Sequence, residues 1–260
     1  MFDKKQFEKQ LSTSWLGRSA FCFKELDSTN SHAKKMRIDA SLHGSVVLAD
    51  HQTGGRGQHS RKWQTEAGAN LTFSLIFAPK KQDRFTLLTL ACALAVSEAI
   101  EEETGICTRL KWPNDILHEG QKICGILTET QFSGSKLERI IIGIGLNVNQ
   151  LNFSEELASI ATSLAIINSK KIKREQLLAA ILKKTEYYYR LWTQYKPELV
   201  KQINRALIGY GNWVHILING KEMNGEYKFL GVNDTGALVV LNSRLEVQTF
   251  AYEQVRVKEQ

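Results

Sequence analysis

Apolar residues recur along this chain with two different periods. In ANLTFSLIFAP (residues 69–79), Leu71, Phe73, Leu75 and Phe77 alternate onto one face, the period of a strand. Strand-like runs also occupy 44–50 (GSVVLAD), 107–113, 122–132 (KICGILTETQF) and 139–149 (RIIIGIGLNVN). Two longer segments read as helices. Residues 84–104 carry a long apolar pattern closed by Gly105, a glycine stop. From about 174 to 196, Leu178, Ile181, Leu182, Tyr188, Tyr189 and Trp192 recur at helical spacing, and Pro197 ends the run. That aromatic stripe reads as core, not as a cofactor site. After about residue 208 the texture changes to short β-rich runs (NWVHILI, EYKFLGV, ALVVL, VQTF, VRVK). Asn219-Gly220, Asn224-Gly225, Asn233-Asp234-Thr235-Gly236 and Asn242-Ser243 separate them, which are hairpin signals. The pattern predicts a short lead-in over 1–20, a main domain over 1–207 and a small β-barrel over 208–260.

Composition narrows the class. A chain of 260 residues suits one good-sized domain with an appendage, and 43% hydrophobic residues suffice for a packed core. The richest apolar run, LLTLACALAV at 87–96, falls short of the ~18 residues that cross a membrane. The amino terminus, MFDKKQFEKQL, has charge but no apolar signal core, so a cytoplasmic location is expected. Cys22, Cys92, Cys107 and Cys124 are widely spaced with no C-x-x-C pair, and the histidines are scattered. Both facts argue for a reduced protein without a zinc site, with Cys92 and Cys124 as small core residues. A net charge of +7 suits a phosphate-bearing ligand, an acidic protein partner or nucleic acid, without choosing among them.

Candidate chemistry is concentrated in QTGGRGQHSRKW at 52–63. Its glycines let a backbone turn tightly and bring N–H groups to an oxyanion, and its arginines supply forked donors. It reads as a loop that wraps an anion; the plainer alternative is a solvated basic loop. A Walker A sequence is absent, and the G-x-G-x-x-G fingerprint lacks its third glycine and its following helix. Four other segments place polar groups beside apolar runs. LDSTN (26–30) also suits a helix N-cap, and KWPND (111–115) also suits an ordinary turn. KICGIL (122–127) sets Lys122 before an apolar strand, and the mid-strand Gly125 suggests a close approach to the backbone. GIGLNVN (143–149) puts Asn147 and Asn149 just after a buried strand.

In order and spacing these segments, together with GANL at 68–71, resemble the catalytic domain of biotin protein ligases. The stretch NGKEMNGEYKFLGVNDTGALVV is similar, more loosely, to the small final domain of that family. The resemblance covers almost the whole chain. It implies an α+β fold: a mixed β-sheet with helices, like the class II synthetases, plus a small C-terminal β-barrel. It also implies an ATP-dependent ligase that makes biotinyl-5′-AMP and passes biotin to a lysine of a biotin carboxyl carrier domain. By that resemblance Ser28, Thr29 and Gln52, with Asn30 beside them, face the ureido ring. Arg56 and Lys122 hold the biotin carboxylate against the α-phosphate, and Gly57 lets the loop close. Lys122, Arg61 and Mg²⁺ stabilise the charge that grows as pyrophosphate leaves, with Asn114 near the phosphates. Asn147 reads adenine, Gly125 and Gly143 leave room for ligand, and Trp63 covers the adenylate. Asp115 orients the acceptor lysine or helps remove its proton. No protein cage for the metal is expected, which suits Mg²⁺ held by phosphate and water.

One departure stands out. Many relatives carry arginine where this chain has Gln58, among the biotin contacts, so weaker retention of the adenylate is expected, with His59 and Arg61 as compensating groups. Family members that repress biotin genes carry an amino-terminal helix-turn-helix. This chain begins almost at the catalytic domain, so the expectation is an enzyme without nucleic-acid or membrane partners, either monomer or homodimer. A lipoate or octanoate ligase is the nearest rival, since it shares the fold and adenylate logic. A basic nucleic-acid-binding protein is the more distant rival, because the barrel has few interleaved basic and aromatic residues.

Overall fold

The computed structural model describes residues 1–58, 61–79, 84–251 and 255–258. Its main sheet has seven strands: β1 (Ala20–Leu26), β2 (Ser45–Gln52), β3 (Leu71–Phe77), β4 (Arg109–Lys111), β5 (Asp115–His118), β6 (Gln121–Ser133) and β7 (Lys136–Leu146). Their order is β1-β2-β3-β7-β6-β5-β4. β1 runs parallel to β2, and every other neighbouring pair is antiparallel, so the sheet is mixed. The helices are α1 (Lys4–Gln10), α2 (Thr29–Lys35), α3 (Phe85–Thr104), α4 (Glu155–Ala158), α5 (Leu164–Asn168), α6 (Arg174–Thr193) and α7 (Pro197–Ala206).

Side-chain alternation sorts the sheet into two faces. Val46, Leu48, Phe73, Leu75 and Phe77 join the large core, whereas Val47, Ile76 and Ile141 form a smaller cluster with Ala33 of α2. All seven residues of β3 are buried because helices cover both faces. Helix α3 is apolar almost all round since it lies between the sheet and α6; Gly105 ends it at φ +74° with its N–H on the Glu101 carbonyl at 2.9 Å. The stripe of α6 is buried as expected. Pro197 stands at the first turn of α7, where its missing N–H is not needed. Short elements escaped the periodicity: β1, α1, α2, β5 and α7 are too brief or too mixed to announce themselves. The strand expected at 107–113 shortens to β4, because the chain turns at the Trp112-Pro113 corner.

The carboxy-terminal part is a second sheet, wholly antiparallel. It comprises β8 (Trp213–Ile218), β9 (Lys221–Glu222), β10 (Tyr227–Val232), β11 (Leu238–Leu241), β12 (Val247–Phe250) and β13 (Val255–Lys258), in the order β12-β11-β10-β8-β13 with β9 on β8. Its Val214, Ile216, Phe229, Leu238 and Val240 belong to the same apolar core as the main sheet. Its turn at 233–236 is held by two hydrogen bonds, one from the corner after β4 and one from the residue that precedes α3. Trp112 Nε1 donates to the Gly236 carbonyl at 3.2 Å, and Arg84 Nε donates to that of Asp234 at 2.5 Å. The corner leading to Asn114 and Asp115, set between β4 and β5, is therefore also tied to the second sheet through Trp112.

Candidate active site

A cavity of about 490 Å³ opens where the start of α2, the glycine loop, the Trp112-Pro113 corner and strands β6 and β7 converge. Every residue from Ser28 to Asn147 that the sequence singled out for biotin, nucleotide or catalysis lines it, although these residues come from five separate segments. His59 lies outside the described residues. Asn149 does not line this cavity: its amide bonds the backbone of Ile172 at 2.9 and 2.8 Å, clipping the end of β7 in place.

One end of the cavity is built from hydroxyls and amides. Ser28 caps α2, taking the Ser31 N–H at 3.4 Å, so the helix-cap reading and the site reading of LDSTN hold together. The Thr29 N–H donates to Gln52 Oε1 at 2.7 Å, and the Thr29 hydroxyl lies 3.2 Å from the same oxygen. Behind them Ser74 on β3 reaches Thr29 Oγ1 at 2.7 Å and Asn30 Oδ1 at 2.6 Å. Asn30 Nδ2 donates to the Leu127 carbonyl at 3.2 Å and to Glu129 Oε2 at 2.8 Å. Lys34 Nζ sits 2.6 Å from the other Glu129 oxygen. Burial alone would push the Glu129 carboxyl up; hydrogen bonds from Lys34 and Asn30 and the charges of Lys34 and Arg56 hold it below the usual carboxylate range.

The glycine loop folds on itself as a small hairpin. Arg56 bridges Lys62, the Gly57 N–H donates to the Arg61 carbonyl at 2.7 Å, and the Trp63 N–H donates to that of Gly55 at 3.0 Å. Arg56 is half exposed, with Nη2 donating to Ser31 Oγ at 3.0 Å and lying 3.7 Å from Glu129. The hairpin lays the Trp63 indole on the sheet. A Cβ at Gly145 would overlap that ring, and one at Gly125 would stand 3.3 Å from it and 3.1 Å from Lys122 Nζ. A Cβ at Gly143 would overlap the Asn30 amide. The close approach expected at Gly125 is thus made by the chain's own Trp63 and Lys122, and the space over Gly143 is filled by Asn30.

The opposite end is charged. Lys122 Nζ lies 2.6 Å from Asp115 Oδ1, both side chains being about one-third exposed (35% and 28%). Lys122 is held by its backbone: its N–H donates to the Ile160 carbonyl at 2.8 Å and its carbonyl accepts from Thr162 at 3.1 Å. Asn114 Nδ2 donates to the Ile126 carbonyl at 2.7 Å, and Asn147 Nδ2 to that of Thr162 at 3.1 Å. Each is buried with its amide pinned. Sequence reasoning missed Lys62 and Lys111, further cations on the rim, and the apolar wall of Phe153, Leu157 and Ile160. Lys62 was visible in the loop, whereas the wall belongs to a stretch without periodicity. The arrangement can hold a ligand that is neutral and polar at one end and anionic at the other.

Residues 22–147 match the model of the biotin/lipoate A/B protein ligase family. The chain is 37% identical over 235 residues to the bifunctional ligase/repressor BirA of Bacillus subtilis, covering 88% of this chain and 71% of that protein. It is 31% identical over 188 residues to the biotin–[acetyl-CoA-carboxylase] ligase of Mycobacterium tuberculosis, covering 70% and 67%. Among solved structures, biotin protein ligase from Aquifex aeolicus in complex with biotin and ATP aligns with a TM-score of 0.81 at 30% identity, over 94% of this chain and 100% of that one.

Proposed function

The chain belongs to the biotin/lipoate A/B protein ligase family, and from that premise we propose that it activates biotin as biotinyl-5′-AMP and transfers the biotinyl group to one lysine of a biotin carboxyl carrier domain. The observation that carries this reading is the shape of one cavity, with the Ser28–Thr29–Gln52 group at one end and Lys122 at the other. A ureido ring needs both donors and acceptors, and lipoate's dithiolane offers neither in kind. A site built to bond the ring rejects a ligand that leaves those groups unpaired.

In the first step a biotin carboxylate oxygen attacks the α-phosphorus of ATP and pyrophosphate leaves. Two anions must meet, so cations have to screen them. Arg56 and Lys122 take that role, with Arg61 and Asn114 toward the phosphates. Lys122 first exchanges Asp115 for the incoming anion. A partly exposed pair is worth at most about 1 kcal/mol, so the exchange is cheap. Magnesium fits as an ion carried by the nucleotide: Asp115 is the one carboxylate among the described residues lining the cavity, and these residues hold no cluster of three or more metal-binding side chains. When bound, it supplies charge neutralisation on the phosphates.

In the second step the carrier amine attacks the acyl carbon, its proton passes to the Asp115 carboxylate, and AMP leaves. Between the steps water must be kept from the mixed anhydride. The hairpin of the glycine loop and the Trp63 ring, with Asn147 toward the adenine, serve as the cover.

Incubation of a carrier domain with biotin, Mg-ATP and this protein tests the whole sequence. The expected product carries one biotinyl group on one lysine by mass spectrometry, and labelled lipoate in the same assay is not transferred. Transfer of lipoate instead would replace this reading with its rival. A further outcome follows from Gln58, which stands at a loop position where an arginine would add a cation over the adenylate. Hydroxylamine is expected to trap more released biotinyl-AMP from the wild-type chain than from Gln58→Arg; equal trapping would remove the residue from intermediate retention.

A further inference from the structure

Asn30 is pinned by its surroundings in one of two possible amide orientations. Its Nδ2 faces two acceptors, the Leu127 carbonyl at 3.2 Å and Glu129 Oε2 at 2.8 Å. An ionised carboxylate only accepts, so the amide oxygen has to point the other way, where it meets Ser74 Oγ at 2.6 Å. That oxygen carries no proton, so Ser74 must donate its only one to it. Ser74 is then left as an acceptor for Thr29, whose hydroxyl lies 2.7 Å away. Of the two acceptors within reach of the Thr29 hydroxyl, Ser74 at 2.7 Å and Gln52 Oε1 at 3.2 Å, the shorter contact has no other proton to hold it, so the Thr29 proton points inward to Ser74 and its oxygen is left as an acceptor on the cavity side. Gln52, which also lines the cavity, spends its Oε1 on the Thr29 N–H at 2.7 Å, which leaves its NH₂ group, beside Gly55, as its remaining donor. The sequence of bonds runs from a charge on β6 to an acceptor and a donor at the cavity's polar end. These are the types that a ureido N–H and a ureido carbonyl each require.

We infer that Glu129 is a positioning residue that sets the hydrogen-bond polarity of the biotin end through Asn30, Ser74 and Thr29. This rests on the ligase reading and deepens it. The carboxylate suits the task because it is enclosed (18% exposed) and has three donors around it: Lys34 at 2.6 Å, Asn30 at 2.8 Å and Arg56 at 3.7 Å. A glutamine in its place offers one acceptor and one donor, so it can serve Lys34 or Asn30 but not both. The amide then faces a donor, and the chain of protons behind it loses its direction.

The test measures biotin-dependent pyrophosphate–ATP exchange for the wild-type chain, Glu129→Gln and Ser74→Ala, with a thermal midpoint for each. In both variants KM for biotin is expected to rise about tenfold, the effect of leaving one polar partner of the ring unpaired. KM for ATP and the midpoint should stay close to wild type. Ser74→Ala breaks the same relay without touching a charge, so it decides the matter even where Glu129→Gln folds poorly. An unchanged KM for biotin in Ser74→Ala, or parallel rises in both KM values, overturns the inference. A wild-type chain with no biotin-dependent exchange overturns the ligase reading itself, so the two failures appear in different arms.

Discussion

Lys122→Ala is expected to lower biotin-dependent pyrophosphate–ATP exchange by about a thousandfold, the loss seen when one donor to developing oxyanion charge is removed. The fold should survive. The side chain's partner is Asp115 at 2.6 Å, both groups keep about a third of their exposure, and such pairs contribute at most about 1 kcal/mol. The backbone bonds to Ile160 and Thr162 that hold this strand are unaffected by the side chain. Lys122→Arg should not restore activity, because the space beside Gly125, where a Cβ would stand 3.1 Å from the ammonium, suits a compact point charge and not a planar fork. The measurement is exchange at saturating biotin and ATP, with circular dichroism and a melting curve as the fold control. A variant that folds and retains most of the wild-type rate would remove Lys122 from the reacting centre.

Arg174→Ala is expected to destabilise the protein by about 3–5 kcal/mol, the cost of leaving one member of a buried ion pair unpaired. The Arg174–Asp50 contact, at 2.9 Å, is slightly longer than that of Lys122 with Asp115, but both side chains are only 7% exposed. Arg174 also donates to the Asn70 carbonyl at 2.9 Å, and the Phe2 N–H donates to both Asp50 oxygens at 3.2 and 3.0 Å. Without the guanidinium, Asp50 keeps only that backbone donor against its charge. Asp50 lies two residues before Gln52 on β2, and its carbonyl accepts from Gly68 at 2.9 Å. The pair therefore ties the chain's first residues and α6 to the strand that enters the glycine loop. Denaturant unfolding measures the loss, and a change below about 1 kcal/mol would mean that the pair behaves as a solvated one. Asp50→Leu combined with Arg174→Met should recover part of the stability, since an apolar replacement leaves no buried charge behind.

Local pattern carried the reading where one residue type has one use. The period-two run in β3, the apolar length of α3 closed by Gly105, and the turn signals before β10 and β11 each reflect backbone geometry within a few residues. The loop's placement between two strands followed from the same pattern, and β2 and β3 do flank it as an antiparallel pair. Ser74 and Glu129 were passed over for a different reason. On an alternating strand, the serine of LTFSLIF and the glutamate of TETQF both read as solvent-facing, yet α2 covers that face and closes both in.

By itself the sequence determined the longer strands and helices, that Gly125 must meet something closely, and the five polar segments that line one cavity, because these depend on spacing along a few residues of chain. Only the tertiary structure decided what those groups meet: Asn30 joins Glu129 across 99 positions, Arg174 joins Asp50 across 124, and Trp63 comes to rest on Gly145. The physical reason is that hydrogen-bond direction and burial belong to pairs brought together by packing. The same carboxylate is a solvated charge on an open strand and an orienting one beneath a helix.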